Sequence, residues 1–166
     1  MIQIPLSQDK FALIDEGDAE LISRYKWHAI RVNPRKSFYA RTVLWSIGRR
    51  YWRIRMQNLI LHAPDGFLVD HKDGDGLNNT RSNLRIATMA QNNAARPSAP
   101  GRSGYRGVIW DSGKRRWRAR ISENNHDITL GCFADPAEAA AVYDAAARKL
   151  HGEFAQVNFP LLVAPA

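Results

Sequence analysis

Cysteine is nearly absent from this chain: Cys132 stands alone among 166 residues. An internal disulfide is thereby excluded, as is a zinc site built on several thiolates, and a lone thiol accords with a reducing cytoplasm. Long apolar runs are missing too. No stretch approaches the roughly 20 residues that a membrane span needs, and the start, Met1-Ile2-Gln3-Ile4-Pro5, has neither the basic opening nor the apolar run of a secretory signal. There is no internal repeat and no low-complexity tract beyond the alanines of 137–147. Acidic residues are outnumbered, 16 Asp and Glu against 24 Lys and Arg, for a formal charge of +8. These shortages predict a soluble, intracellular protein without a membrane partner, and nothing in them points to an obligate protein partner.

Hydrophobic residues make up 45% of the chain, enough for a packed core and against global disorder. The length allows one ordinary domain or two small ones. The positive charge is uneven. Residues 1–60 hold 11 Lys and Arg against 5 Asp and Glu, residues 61–100 hold four of each, and residues 101–122 hold seven against one. Two basic regions therefore flank a neutral centre, a plan suited to gripping a polyanion such as nucleic acid; scattered solubility charge is the plainer alternative.

One boundary is clear. Ala94-Ala95-Arg96-Pro97-Ser98-Ala99-Pro100-Gly101-Arg102-Ser103-Gly104 combines prolines, glycines and serines without apolar period, and residues 96–103 read as a linker between units at 1–95 and 104–160. In the first unit Phe11-Ala12-Leu13-Ile14 reads as a strand, and Asp18 as the cap of a short helix through about Tyr25. Trp27 to Val32, Ser37 to Trp45 and Arg50 to Arg55 are rich in β-branched and aromatic residues and read as strands broken at Asn33-Pro34 and Gly48. Alternation in Tyr51-Trp52-Arg53-Ile54-Arg55 sets Arg53 and Arg55 on one face, either a track for a phosphate backbone or an ordinary solvated face.

The centre carries the chemistry. Phe67-Leu68-Val69-Asp70-His71 reads as a short strand ending in a carboxylate beside an imidazole, a hard oxygen ligand next to a group that takes protons near neutral pH. Asp73-Gly74-Asp75-Gly76 turns the chain, Leu84-Arg85-Ile86-Ala87 is the returning strand, and Thr88-x-x-Gln91 is a capping box that predicts a helix from Met89 into Ala95. A calcium loop of the EF-hand type is rejected, because the twelfth position counted from Asp73 is Leu84 rather than an acid. Asn78 and Asn79, taken alone, read as turn formers.

Strand, loop, strand, helix with the spacing Asp70-His71-x-Asp73-Gly74-x-x-Leu77-Asn78-Asn79-x-x-x-Asn83-Leu84-Arg85 resembles the HNH, or ββα-metal, nucleases over about 56–96. The resemblance implies roles. Asp70 matches the metal-binding carboxylate, His71 the histidine that activates the attacking water, and Asn83 the asparagine that braces the loop and keeps the histidine oriented. Asn92 matches the last position, placed by the helix back across from Asp70 and His71, where an asparagine supplies a neutral oxygen ligand compatible with Mg²⁺ or Mn²⁺. One departure lies upstream: Met56-Gln57-Asn58-Leu59-Ile60 has neutral amides where related homing nucleases carry His-Arg.

Past the linker, Tyr105 to Trp110, Arg116 to Ile121 and Ile128 to Phe133 read as three strands, with turns at Asp111-Ser112-Gly113-Lys114 and Glu123-Asn124-Asn125-His126. A helix follows, with Asp135 as N-cap, Pro136 first, Glu138 third and Gly152 as stop; Ala139, Val142, Tyr143, Ala146 and Leu150 form its expected apolar stripe. Period two separates Arg116, Arg118 and Arg120 from Trp117, Ala119 and Ile121, the latter a core face. Tyr105-Arg106-Gly107-Val108, Leu130-Gly131-x-Phe133, Ala141-Val142-Tyr143-Asp144 and Val157-Asn158-Phe159-Pro160 resemble, in order, the plant ethylene-response-factor (APETALA-type) DNA-binding domain over about 104–160. That resemblance implies a sheet laid in the major groove of double-stranded DNA, with Arg106, Trp110, Lys114, Arg116, Arg118 and Arg120 as contacts; a solvated face is the alternative for the arginine row.

The expected fold is α+β, a mixed N-terminal unit with the ββα-metal motif followed by a three-stranded antiparallel sheet packed on one helix. The layout resembles phage and bacterial homing endonucleases. It implies a metal-dependent, sequence-directed DNA endonuclease in the cytoplasm of a bacterial or phage-infected cell, one that leaves 5′-phosphate and 3′-hydroxyl ends and nicks as a monomer. The alternative, favoured by Gln57 and Asn58, is an inactive DNA-binding regulator on the same scaffold.

Overall fold

The computed structural model describes residues 1–31, 37–45, 51–96, 101–123 and 126–160. Several expected features lie wholly or partly outside those residues: Val32, the breaks at Asn33-Pro34 and Gly48, Arg50, the middle of the linker at 97–100, and the turn residues Asn124 and Asn125. The chain folds as two compact units, Met1–Met89 and Ala90–Ala166. It is α+β throughout, with strands in several small antiparallel sheets interspersed with helices. No helix among the described residues is long and apolar enough to cross a membrane.

The first unit opens with a hairpin that the sequence pattern reveals only in half: β1 (Ile2–Pro5) pairs antiparallel with the expected strand β2 (Phe11–Ile14). Alternation along β2 buries Ala12 and Ile14 and exposes Phe11. A 3-10 turn at Glu16–Asp18 leads into α1 (Ala19–Ser23). Asp18 does not cap this helix as expected. Its backbone is helical, its side chain makes no capping bond, and its buried carboxylate instead accepts both Nε (3.0 Å) and Nη2 (2.6 Å) of Arg81. A guanidinium fork meets both carboxylate oxygens at once and displaces the weaker capping role.

Next comes a three-stranded sheet of β3 (His28–Arg31), β4 (Phe38–Trp45) and β5 (Tyr51–Arg55), in the order β3-β4-β5. A short helix, α2 (Met56–Ile60), runs into the hairpin β6 (Phe67–His71) and β7 (Leu84–Thr88). The core gathers Ala12 and Ile14 of β2, Ile22 of α1, Trp27, Ala40 of β4, Met56 and Ile60 of α2, and Leu84 of β7. Each fully buried aliphatic side chain there contributes about 1.5–3 kcal/mol. Helix α3 (Met89–Ala94) follows, starting where the capping-box spacing predicts.

In the second unit β8 (Val108–Asp111), β9 (Arg116–Glu123) and β10 (His126–Phe133) form a sheet in the order β10-β9-β8, with a bulge between Thr129 and Gly131. Helix α4 (Pro136–His151) packs on it, Ala139 and Ala140 lying against Val108 and Ala119. Its punctuation is as expected: Asp135 accepts from Ala137 N at 2.9 Å, Pro136 takes the first turn, and Gly152 ends the helix at φ +53°. The apolar stripe is rotated from the expected one. Ala139, Ala140, Tyr143, Asp144 and Ala147 are buried, whereas Leu150 is exposed. The reason is Asp144, whose carboxylate turns inward to accept Asn158 N (2.8 Å), Asn158 Nδ2 (2.9 Å) and Phe159 N (2.7 Å), fastening the C-terminal segment to the helix.

Gly107 shows why Tyr-Arg-Gly-Val needs its glycine. Its φ is +73°, and a Cβ there would sit 2.0 Å from Tyr143 Cδ2. Both strain and overlap oppose any side chain. Gly107→Ala should therefore lower the stability of this unit by about 2–4 kcal/mol, read as a shift in urea midpoint; a change below about 0.5 kcal/mol would show that the Tyr143 ring yields freely.

Candidate active site

Asp70 and His71 end β6, where the register pairs Asp70 with Arg85 and His71 with Leu84. Arg85 donates to Asp70 Oδ2 through both Nε (3.0 Å) and Nη2 (2.9 Å), and both side chains are largely buried. This contact fixes the carboxylate's orientation and balances its charge. His71 is buried, and Nε2 lies 3.2 Å from Oδ1 of Asn79, which is fully buried. The Tyr39 ring meets the imidazole edge-on, 6.0 Å between centroids. Burial pushes the His71 imidazole down, outweighing the lift from the Asn79 acceptor and from the Asp73, Asp70 and Asp75 carboxylates. A histidine so held stays neutral near physiological pH and is able to take a proton.

The loop between the strands is braced by Asn83. Its Oδ1 accepts Asp73 N (3.1 Å), its Nδ2 donates to Asp73 Oδ1 (2.9 Å) and to Asn78 O (2.8 Å), and its carbonyl accepts Lys72 N (3.0 Å). The side chain within hydrogen-bond reach of the histidine is that of Asn79. Sequence reasoning missed this residue as a turn former. Its only signal was its place in the Asn78-Asn79 pair, and the two members do different work: Asn78 donates to Asp73 Oδ2 at 2.7 Å in the exposed loop, whereas Asn79 points inward.

Asp73 is the hub of the loop, accepting from Asn78 Nδ2, Asp75 N and Asn83 Nδ2. Partial burial alone would raise its carboxyl, but these hydrogen bonds, together with the nearby His71, hold it below the ordinary carboxylate range. A carboxylate depressed in the folded state adds stability that is complete above its unfolded pKa and fades as pH falls through and below it. Asp73→Asn turns one acceptor into a donor facing a donor and should cost about 1–3 kcal/mol at neutral pH. The gap between variant and wild type in urea denaturation should narrow below about pH 4; a gap constant with pH would show that Asp73's charge contributes nothing.

The sheet β3-β4-β5 brings positive charge to this site. Its register aligns His28, Arg41 and Arg55 in one row, with Val43 opposite Arg53 in the next and Ile30 opposite Tyr39 on the other side. The opposite face carries the buried Ala29, Ala40 and Thr42. No carboxylate occurs in the three strands. The Arg55 guanidinium lies over the Tyr39 ring at 4.8 Å, so the Arg53–Arg55 face continues through Tyr39 to His71. Gln57 and Asn58 sit in α2, where Gln57 is buried and its Oε1 has no hydrogen-bond partner.

Among the described residues no three His, Cys, Asp or Glu side chains cluster as a metal cage. The donor set at Asp70 fits a hard cation held by one or two oxygen ligands and completed by substrate phosphate, and does not fit a zinc cage. Asn92, the other expected ligand, lies half-buried in α3, within the second unit.

In the second unit the sequence-predicted DNA contacts divide. The register sets Arg116, Arg118 and Arg120 on one face, with Ile109 opposite Arg118 and Asp111 opposite Arg116. Arg120 pairs with Asp127 at 2.6 Å, and Arg118 lies 3.7 Å from Asp111. Lys114 is exposed in the turn. Two residues depart from expectation. Trp110 pairs with Trp117 on the helix-facing side, their rings T-shaped at 5.0 Å, because it keeps step with Val108 and not with the arginines. Arg106 is spent internally: Nε donates to Tyr143 Oη (2.9 Å), Nη1 to Arg96 O (2.6 Å) and Nη2 to Ala94 O (3.0 Å).

A family model of HNH endonucleases matches residues 62–94, the segment holding Asp70, His71, Asn79, Asn83 and Asn92. An uncharacterized HNH endonuclease of Acanthamoeba polyphaga mimivirus is 29% identical over 150 residues, 89% of this chain and 74% of the relative. Protein 3.8 of Escherichia phage T7 is 32% identical over 95 residues, 56% of this chain and 77% of its own. The AP2-like ethylene-responsive transcription factor AIL7 of Arabidopsis thaliana is 46% identical over 63 residues, 37% of this chain but only 13% of that protein. With its Asp-His pair seated on a braced hairpin loop inside the matched segment, and with a phage relative covered over most of its length, the chain belongs to the HNH endonuclease family.

Proposed function

We propose that this chain is a metal-dependent, sequence-directed DNA endonuclease of the homing type that hydrolyses phosphodiesters to 5′-phosphate and 3′-hydroxyl ends and nicks as a monomer. The observation that carries the reading is the buried His71 beside Asp70, reached through Tyr39 from a basic sheet face. His71 takes the proton from the attacking water, and Asn83 keeps the loop in shape around it. Asp70 and Asn92 would hold Mg²⁺ or Mn²⁺, which when bound stabilises charge on the phosphoryl and leaving oxygens. Arg53 and Arg55 hold the phosphate backbone beside the site. The C-terminal unit is the DNA reader, an ethylene-response-factor-type sheet whose contacts are Lys114, Arg116, Arg118 and Arg120; its likeness to the plant transcription factor supports this.

The second reading is a DNA-binding regulator without catalysis, and Gln57 and Asn58 in place of His-Arg favour it. A supercoiled-plasmid assay with DNA flanking the native gene separates the two. Nicking with Mg²⁺ or Mn²⁺ that stops in EDTA supports the nuclease; intact plasmid with binding that persists in EDTA supports the regulator. The basic face has its own test. Arg55→Ala should reduce the slope of log affinity against log salt by about one phosphate contact, while Arg24→Ala, just past the end of α1, should leave it unchanged.

A further inference from the structure

We infer that Asn79 is a positioning residue that holds His71 in the tautomer with its proton on Nε2, leaving Nδ1 as the atom that takes the proton from water. The tautomer follows from the hydrogen bonds alone; the proton transfer rests on the nuclease reading given above.

A side-chain amide has one donating end and one accepting end, and its direction must come from its partners. Asn79 Nδ2 donates to Leu77 O at 3.1 Å, a carbonyl that also accepts Leu13 N at 2.8 Å. A flipped amide would set oxygen against oxygen there. Oδ1 therefore faces His71 Nε2 at 3.2 Å, and only a protonated Nε2 satisfies it. Asn79 is 0% exposed, so no solvent compensates a wrong pairing. The amide cannot drift either: Asn79 N donates to Leu13 O at 2.8 Å, and Leu13 forms a parallel bridge with Asn78. The Nε2 edge of the ring is thus turned to the protein interior, and the working lone pair belongs to Nδ1. The logic is that of the orienting carboxylate in a Ser-His-Asp triad, where the wrong tautomer is costly, but a neutral amide orients the ring without adding charge.

Long-range ¹H–¹⁵N correlation spectra of the labelled full chain, recorded above the imidazole's titration, test the assignment. His71 is identified by its absence in His71→Gln. A pyridine-type Nδ1 and a pyrrole-type Nε2 are expected. Asn79→Leu should scramble this pattern and lower kcat for nicking by about 10²–10⁴-fold with little change in KM. Asn79→Asp keeps the acceptor at Nε2 while setting its second oxygen against Leu77 O, so the Nε2–H pattern should return even though stability falls. A wild-type spectrum with the proton on Nδ1 overturns the inference, as does Asn79→Leu with tautomer and kcat unchanged. If Asn79→Leu does not fold, the wild-type spectrum and Asn79→Asp decide. The expected tautomer in a chain that never nicks DNA would support the geometry and overturn the nuclease reading.

Discussion

His71→Ala should lower metal-dependent nicking by about 10²–10⁴-fold, the range removed with a general base, while affinity for DNA stays within about two-fold. The separation of the two effects follows from the structure. The imidazole is buried and makes its contacts to Asn79 and the Tyr39 edge, whereas the positive charge available for phosphates lies on Arg53, Arg55 and the second unit's arginine row. Removing the ring also leaves Asn79 Oδ1 without its partner, so part of the loss in folding stability, about 1–3 kcal/mol, will accompany the kinetic loss. Activity measured well below the variant's unfolding midpoint isolates the chemical contribution. A variant that nicks at the wild-type rate would remove His71 from the mechanism and leave Asp70 without its expected partner.

Asp144→Ala should cost the second unit on the order of 3–5 kcal/mol, the largest loss of stability expected of any single change described above. The carboxylate is buried and serves three donors from Asn158 and Phe159. Asn158 in turn accepts Arg106 N at 2.7 Å and donates to Arg106 O at 3.2 Å. One truncation therefore releases the C-terminal segment and the turn that enters β8 together. Hydrogen exchange resolved by peptide should show protection lost across β8 to α4 and kept in β6 and β7. Asp144→Asn, which retains one acceptor, should recover part of the loss. Exchange unchanged in β8 would mean that the Arg106 turn holds without Asn158.

Elements with a strong period were legible from sequence because burial on one face leaves a simple trace. Strands β2, β4, β6, β7 and β9 and the start and stop of α4 all lie where alternation and capping residues put them. What escaped has a common physical cause, the competition of one partner with another. Asp18 looked like a cap, yet Arg81, 63 residues away, claimed its carboxylate. The α4 stripe looked wholly apolar, yet a carboxylate won an inward place through three backbone and amide donors. Arg106 looked like a DNA contact, yet three protein acceptors lie within its reach. In the candidate site, spacing put Asp70 and His71 at the end of a strand and Asn83 just before the returning one, which is where they lie. Asn79 was invisible because its function depends on a side-chain direction set by Leu13, and no local pattern records that.

The bridge between Leu13 and Asn78 bears on how such a domain can be cut and exchanged. The matched family segment begins at residue 62, but the peptide groups that seat Asn79 are supplied by β2, and β2 is completed by β1. A cassette transplanted from residue 62 onward would carry every recognisable motif and lose the edge that orients its histidine. A transferable form of this domain therefore includes β1 and β2, and recombination between relatives should be poorly tolerated between Ile14 and Phe67.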